Sequence, residues 1–157
     1  MGNQEKIISA GFSKGSERQF SIWDTRNFSS PLTSITLDTA SGVVTPYYDE
    51  GTSILYLLGK GDGTITYFEI VDEAPYAHFL SKFQTAEPQV GVAVLPKRMC
   101  DVKKVQLARM LKLTTKNVQP LAFSVPRTRV SLFDFDCRTL YSSHVVSGVI
   151  TERILPR

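Results

Sequence analysis

Between Lys97 and Lys116 the chain carries seven basic residues, Lys97, Arg98, Lys103, Lys104, Arg109, Lys112 and Lys116, against one acid, Asp101. The segment holds +6 and the remainder −3, so a formal net charge of only +3 conceals a basic strip. Cations gathered in this way attract an acidic surface and speed its arrival, an effect that salt weakens. The plainer reading is a solvated charged face. Lys97, Arg98, Lys103 and Lys104 are the leading partner-binding candidates. The strip lacks the regularly interleaved aromatics on which single-stranded nucleic acid stacks, so a protein or an anionic membrane surface is the expected kind of partner.

The remaining reactive side chains point away from catalysis. Gly59-Lys60-Gly61-Asp62-Gly63 is glycine-rich but lacks the spacing that sets backbone amides and a lysine around a phosphate, and it reads as a hairpin turn. Asp62 in that turn is expected to bond backbone amides, as short acids do. His78 lies in an apolar strand context and His144 follows two serines, with no third group or oxyanion donor that sequence can place. Cys100 and Cys137 stand 37 residues apart with no Cys-x-x-Cys spacing, which favours ordinary semi-buried thiols over a metal site. No catalytic, cofactor-binding or metal-ligating residue is therefore expected.

The elements that would carry these residues recur along the chain. Glu17-Arg18-Gln19-Phe20-Ser21-Ile22-Trp23-Asp24 and, 45 residues later, Asp62-Gly63-Thr64-Ile65-Thr66-Tyr67-Phe68-Glu69 each run from a turn into an alternating strand that ends in an aromatic and an acid. That offset falls within the period of about 40 to 45 residues of WD repeats. Ile7–Phe12 and Gln19–Trp23 read as a hairpin, and Leu32–Leu37 as an outer strand. Val43–Asp49, Ile54–Leu58, Thr64–Ile70 and Tyr76–Phe83 complete a four-stranded unit, with Pro46 expected to make the first of these strands irregular. A poorer third copy starts near Gln89. It continues through a helical turn at Asp101–Lys104, a strand whose apolar alternation is Val105, Leu107, Leu111 and Leu113, and a strand from Val118 to Val125. Trp23 and Phe68 are expected to fill space between units.

One four-stranded unit leaves both faces uncovered, and a propeller closes with roughly 4 to 8 of them. The expected fold is all-β: a partial WD-repeat β-propeller of two to three antiparallel blades over residues 1–126. A divergent tail of unknown structure follows over 127–157, with a strand conceivable at Val130–Phe135. A composition of 42% hydrophobic and 21% charged residues is that of a soluble globular chain. No apolar run approaches the 18 or so residues that span a bilayer, and no apolar signal core follows Met1, so a cytosolic location is expected.

Several strings together resemble the coronin family of actin-binding propeller proteins. They are Gly11-Phe12-Ser13-Lys14 with Ser16-Glu17-Arg18-Gln19, Trp23-Asp24, Leu37-Asp38-Thr39-Ala40-Ser41-Gly42-Val43, Tyr56-Leu57-Leu58-Gly59-Lys60-Gly61-Asp62, Tyr67-Phe68-Glu69-Ile70, Glu73-Ala74-Pro75, Leu95-Pro96-Lys97-Arg98 and Ser124-Val125-Pro126-Arg127. The resemblance implies a non-catalytic actin-filament-binding module of the cytoplasmic actin cytoskeleton, corresponding to the last blades of a seven-bladed propeller. It also implies that the first blades, where much of the family's actin contact is expected, have no counterpart here. The family's oligomerising coiled coil needs sustained heptads, which this chain lacks, so oligomerisation of that kind is not expected.

Overall fold

The structure, a computed structural model, describes residues 5–124; the expected tail at 127–157 and the strand anticipated at Val130–Phe135 lie outside them. The chain divides into two compact units between Pro88 and Gln89.

The first unit holds two antiparallel sheets. One is three-stranded, in the order β1 (Lys6–Phe12), β2 (Arg18–Asp24), β3 (Thr33–Asp38). The other is four-stranded, in the order β4 (Val44–Asp49), β5 (Ile54–Gly59), β6 (Thr64–Ile70), β7 (Ala77–Gln84). The β1–β2 hairpin pairs without a break from Lys6↔Asp24 to Phe12↔Arg18, closed by a turn in which Ser13 Oγ accepts the Gly15 and Glu17 amides. Pro46 does not disturb its strand: β4 pairs β5 continuously, with Pro46 opposite Leu57. The reason is position, because β4 is an edge strand and a residue without an N–H is tolerated where only one side is paired.

Alternation decides the packing. Phe20 and Ile22 on one face of β2 meet Leu55 and Leu57 of β5 and Phe68 and Ile70 of β6, all buried, with the Phe20 and Phe68 rings 4.9 Å apart. Each such side chain contributes roughly 1.5–3 kcal/mol when removed from water. Strand β5 is buried along its whole length, which is why it reads as an unbroken apolar run. Tyr47, Tyr56 and Tyr67 form a row of rings across β4, β5 and β6 with centroids 6.3 and 5.9 Å apart. Phe68 thus fills inter-sheet space as expected. Trp23 does not: it is only half-buried, and its indole Nε1 donates to Ser9 Oγ at 2.8 Å. Both residues hold the same place in the repeat, but Trp23 faces away from Phe20 and Ile22, on the side of the first sheet opposite the packed interface.

A buried arginine joins the two sheets. Arg18, with 5% of its side chain exposed, donates from Nε and Nη2 to the two carboxylate oxygens of Asp38, each at 2.5 Å. Its Nη1 donates to Asp62 Oδ2 at 2.6 Å and to the Gly42 carbonyl at 3.2 Å. Asp62 thus spends its carboxylate on a guanidinium in the neighbouring sheet and not on the local amides expected of it. Two glycines make the room. A Cβ on Gly59 would collide with Asp62 Oδ2 and stand 2.9 Å from Arg18 Nη1, and one on Gly42 would collide with the Lys60 carbonyl. Gly61, at φ +86°, supplies the left-handed residue of the turn.

The second unit is a three-stranded sheet in the order β10 (Val118–Ser124), β9 (Gln106–Leu113), β8 (Gly91–Val94). The β9–β10 turn is fastened by Thr114 Oγ1, which accepts the Asn117 amide at 3.1 Å and the Lys116 amide at 3.3 Å. The apolar alternation expected for β9 is reversed. Ala108, Met110, Lys112 and Thr114 are buried, whereas Leu107 and Leu111 are half-buried and Leu113 exposed. Ala108 and Met110 lie opposite Phe123 and Leu121 of β10, so the buried side of the strand is the one its neighbour also makes apolar. The expected strands and the helical turn near Asp101 are otherwise in place.

Arg18 also sets an acid limit on the fold. Its hydrogen bonds hold the Asp38 carboxyl below the usual carboxylate range, and Asp38 in turn raises the arginine further above its ordinary value. A carboxyl depressed in the folded chain binds fewer protons there than in the unfolded chain, so its stabilisation is complete above about pH 4 and is lost as the pH falls through the lower folded value. Thermal unfolding followed from about pH 6 down to pH 2.5 should show a falling midpoint whose slope below about pH 4 is shallower in Asp38→Asn. Equal slopes for the two proteins would mean that this carboxylate plays no part.

Candidate interaction site

The four candidate cations lie in the connection between β8 and β9, on two consecutive one-turn 3₁₀ helices, Lys97–Met99 and Val102–Lys104. The first turn follows Pro96 and closes through the Met99 amide on the Pro96 carbonyl at 2.9 Å and the Cys100 amide on the Lys97 carbonyl at 3.0 Å. Asp101 caps the second: its Oδ1 accepts the Lys103 amide at 3.0 Å, and its carbonyl accepts the Lys104 and Gln106 amides at 3.2 and 3.1 Å. A short acid before a helical turn does this because its side-chain oxygen reaches the amides that the turn leaves unpaired. Gln106 Oε1 returns a bond by accepting the Asp101 amide at 2.9 Å. Val105 then ends the turn at φ +51°, a left-handed conformation costly for a β-branched residue and held here by these bonds.

The strip does not act as one surface. Lys112 is fully buried in β9 and so is removed from it. Lys97 is exposed, but its Nζ reaches the Leu107 carbonyl at 2.6 Å, and Arg109 Nη1 reaches the Met99 carbonyl at 3.3 Å, so both fasten the connection to β9. Lys104 stands 3.6 Å from Asp101 Oδ2. Arg98 and Lys103 are exposed, one on each turn. Between them Met99 and Val102 present apolar surface at 48% and 60% exposure. Arg98, Lys103 and Lys104 thus stand exposed on one two-turn knuckle, with Met99 and Val102 exposed between them in the sequence. The two apolar members escaped the sequence reading because isolated apolar residues in a basic segment read as ordinary surface.

The cavity beside the knuckle is lined by Asp101, Lys104, Gln106, Arg109, Pro120, Leu121 and Ala122 and measures ≈ 170 Å³. That is below the roughly 300 Å³ at which small-molecule pockets begin. Among the described residues, no group of three or more His, Cys, Asp or Glu side chains could hold a metal, and no helix is long and apolar enough to cross a membrane. Cys100 is half-buried and His78 exposed; Cys137 and His144 lie outside the described residues.

No family model matches the sequence. Over 124 residues, 79% of the chain, it is 52% identical to Coronin-A of Dictyostelium discoideum. The chain belongs to the coronin family. It is also similar to the crystal structure of the WD40 domain from Toxoplasma gondii coronin, with a TM-score of 0.77 and 26% identity over 99% of this chain. Its three antiparallel sheets are accordingly those of a coronin WD-repeat β-propeller. The matched regions amount to 28% of Coronin-A and 43% of the Toxoplasma gondii chain, so this coronin sequence spans less than half of either relative.

The cap on the second turn is the element on which the coronin knuckle depends. Replacing Asp101 by Ala removes a bond of about 1 kcal/mol. Amide exchange at Lys103 should accelerate about fivefold as the turn opens more often, while exchange in β2 and β6 stays unchanged. Hydrogen-exchange spectrometry checks this, and an unchanged Lys103 rate would assign the turn to other contacts.

Proposed function

We propose that the chain is a non-catalytic actin-filament-binding module that contributes to organisation of the cytoplasmic actin cytoskeleton, and that it contacts the filament through Arg98, Lys103 and Lys104, with Lys97 fastening the knuckle that carries them. The observation that carries this reading is the exposed basic knuckle on a fold of the coronin family. Membership supplies the actin expectation, and the knuckle supplies a surface suited to an acidic one. In this reading residues 1–126 are consecutive blades from the end of the propeller. Rim cations of this exposure raise the rate of association and make it salt-sensitive more than they add affinity, because both partners stay largely hydrated.

One observation favours a second reading. Met99 and Val102 flanked by cations make a pattern suited to an anionic membrane surface, where apolar residues enter the interface and each nearby cation adds about 1 kcal/mol.

A charge-reversed pair, Arg98→Glu with Lys103→Glu, separates these readings without touching a buried residue. In filament co-sedimentation it should weaken binding about tenfold at roughly 50 mM salt and much less at roughly 300 mM. Unchanged co-sedimentation at low salt would retire the actin reading. If the pair then abolishes binding to vesicles containing phosphatidylserine, the membrane reading takes its place.

A further inference from the structure

We infer that Ser30 is a phosphorylation site, which accepts the γ-phosphoryl group of ATP from a proline-directed serine/threonine kinase. It lies in the connection between β2 and β3, residues 25–32, all of them exposed. A serine or threonine followed by proline is the minimal pattern such kinases read, and the chain contains it twice, at Ser30-Pro31 and at Thr45-Pro46. The fold separates the two.

The connection is fastened at both ends and loose between them. Asp24 accepts the Arg26 amide through Oδ1 at 2.9 Å and the Asn27 amide through its carbonyl at 3.1 Å, and Asn27 Oδ1 accepts the Ser29 amide at 3.0 Å. The Leu32 amide then donates to the Ile22 carbonyl at 2.8 Å, which returns the chain to the sheet. Between these anchors, Ser30 and Pro31 make no hydrogen bond to any of the described residues. Proline has no amide to offer, and its ring disfavours the helical region for the residue before it, so Ser30 is biased toward extended backbone. A kinase cleft takes its acceptor residue extended and exposed. Ser30 can therefore enter without breaking a bond of the fold.

Thr45 cannot. Its side chain is exposed too, but it lies inside β4, where Thr45 pairs with Leu58 and Pro46 with Leu57 of β5. Presenting it would require peeling β4 from the most buried strand of the unit, an opening that is rarely populated. Ser29, three residues after Arg26, would suit a kinase that reads upstream basic residues, but its amide is held by Asn27 and no proline follows it.

In the transfer, Ser30 Oγ bonds to the γ-phosphorus of ATP, the bond from that phosphorus to the β–γ bridging oxygen breaks to release ADP, and the hydroxyl proton passes to the catalytic aspartate of the kinase. Arg26 is the single formal charge of the connection, and phosphoserine carries about −1.5 to −2 at pH 7, so the connection passes from +1 to about −1. This reversal of surface charge belongs to the first unit and does not draw on the basic knuckle of the second.

Incubating the full folded chain with a mitogen-activated protein kinase and Mg-ATP, with site-resolved mass spectrometry over time, tests this. Ser30 should be phosphorylated at least about tenfold faster than Thr45. Ser30→Ala should abolish the fast phase, Ser29→Ala should leave it unchanged, and Pro31→Ala, which keeps the hydroxyl, should slow it at least about tenfold. All three are exposed loop positions, so each variant should keep native circular dichroism. A folded chain that gains no phosphate at Ser30, one in which Thr45 is modified as fast as Ser30, or a fast phase that survives Ser30→Ala overturns the proposal.

Discussion

Two packed β-sheets have no intrinsic reason to keep one register, since apolar faces slide where directional bonds do not hold them. In the first unit that direction comes from Arg18. Its guanidinium is almost fully buried, and it bonds Asp38 of its own sheet through two nitrogens and Asp62 of the next through a third. The planar fork of arginine makes this possible, because a lysine offers no fixed geometry for two carboxylates at once. A cation so deeply buried persists only when its donors are satisfied, and here two acids and the Gly42 carbonyl satisfy them. A side chain at Gly59 would meet Asp62 Oδ2 and Arg18 Nη1, and Phe20, Ile22, Phe68 and Ile70 form the apolar core of the same unit.

The same repeat explains why different parts of the molecule present such different surfaces. Phe68 and Trp23 occupy equivalent positions, yet Phe68 is covered by the first sheet and Trp23 is half-open. In the second unit the connection between β8 and β9 is long enough to form two helical turns, and those turns carry the cations outward. Repetition supplies the scaffold, and the connection between β8 and β9 supplies exposed surface on it.

How far the sequence reveals this depends on the range of the interaction. The β1–β2 hairpin, the strands of the second sheet and the turn at Asp101 follow from alternation, turn chemistry and capping, all of which act within a few residues. The coronin resemblance, carried by strings spread from Gly11 to Arg127, agrees with the relatives found. Arg18 with Asp38 and Asp62 was not legible, because those pairs lie 20 and 44 residues apart and no local pattern marks them. Strand β9 misleads for another reason. Leu107, Leu111 and Leu113 suggest one buried face, but period two also groups Ala108, Met110 and Lys112, and the apolar residues of β10 select that second face. The basic strip is smaller on the surface than in the sequence, since charge in a sequence does not reveal that Lys112 is buried.

The claim that Arg18 couples the two sheets is tested most directly by a double-mutant cycle with Arg18→Met and Asp62→Asn. Trp23, the single tryptophan of the chain, lies on the same strand as Arg18 and reports urea unfolding by its fluorescence. If the pair acts as a unit, the double variant will be less destabilised than the sum of the singles by about 1 kcal/mol or more. Losses that add to within about 0.3 kcal/mol would show that the two residues act independently and would contradict the account.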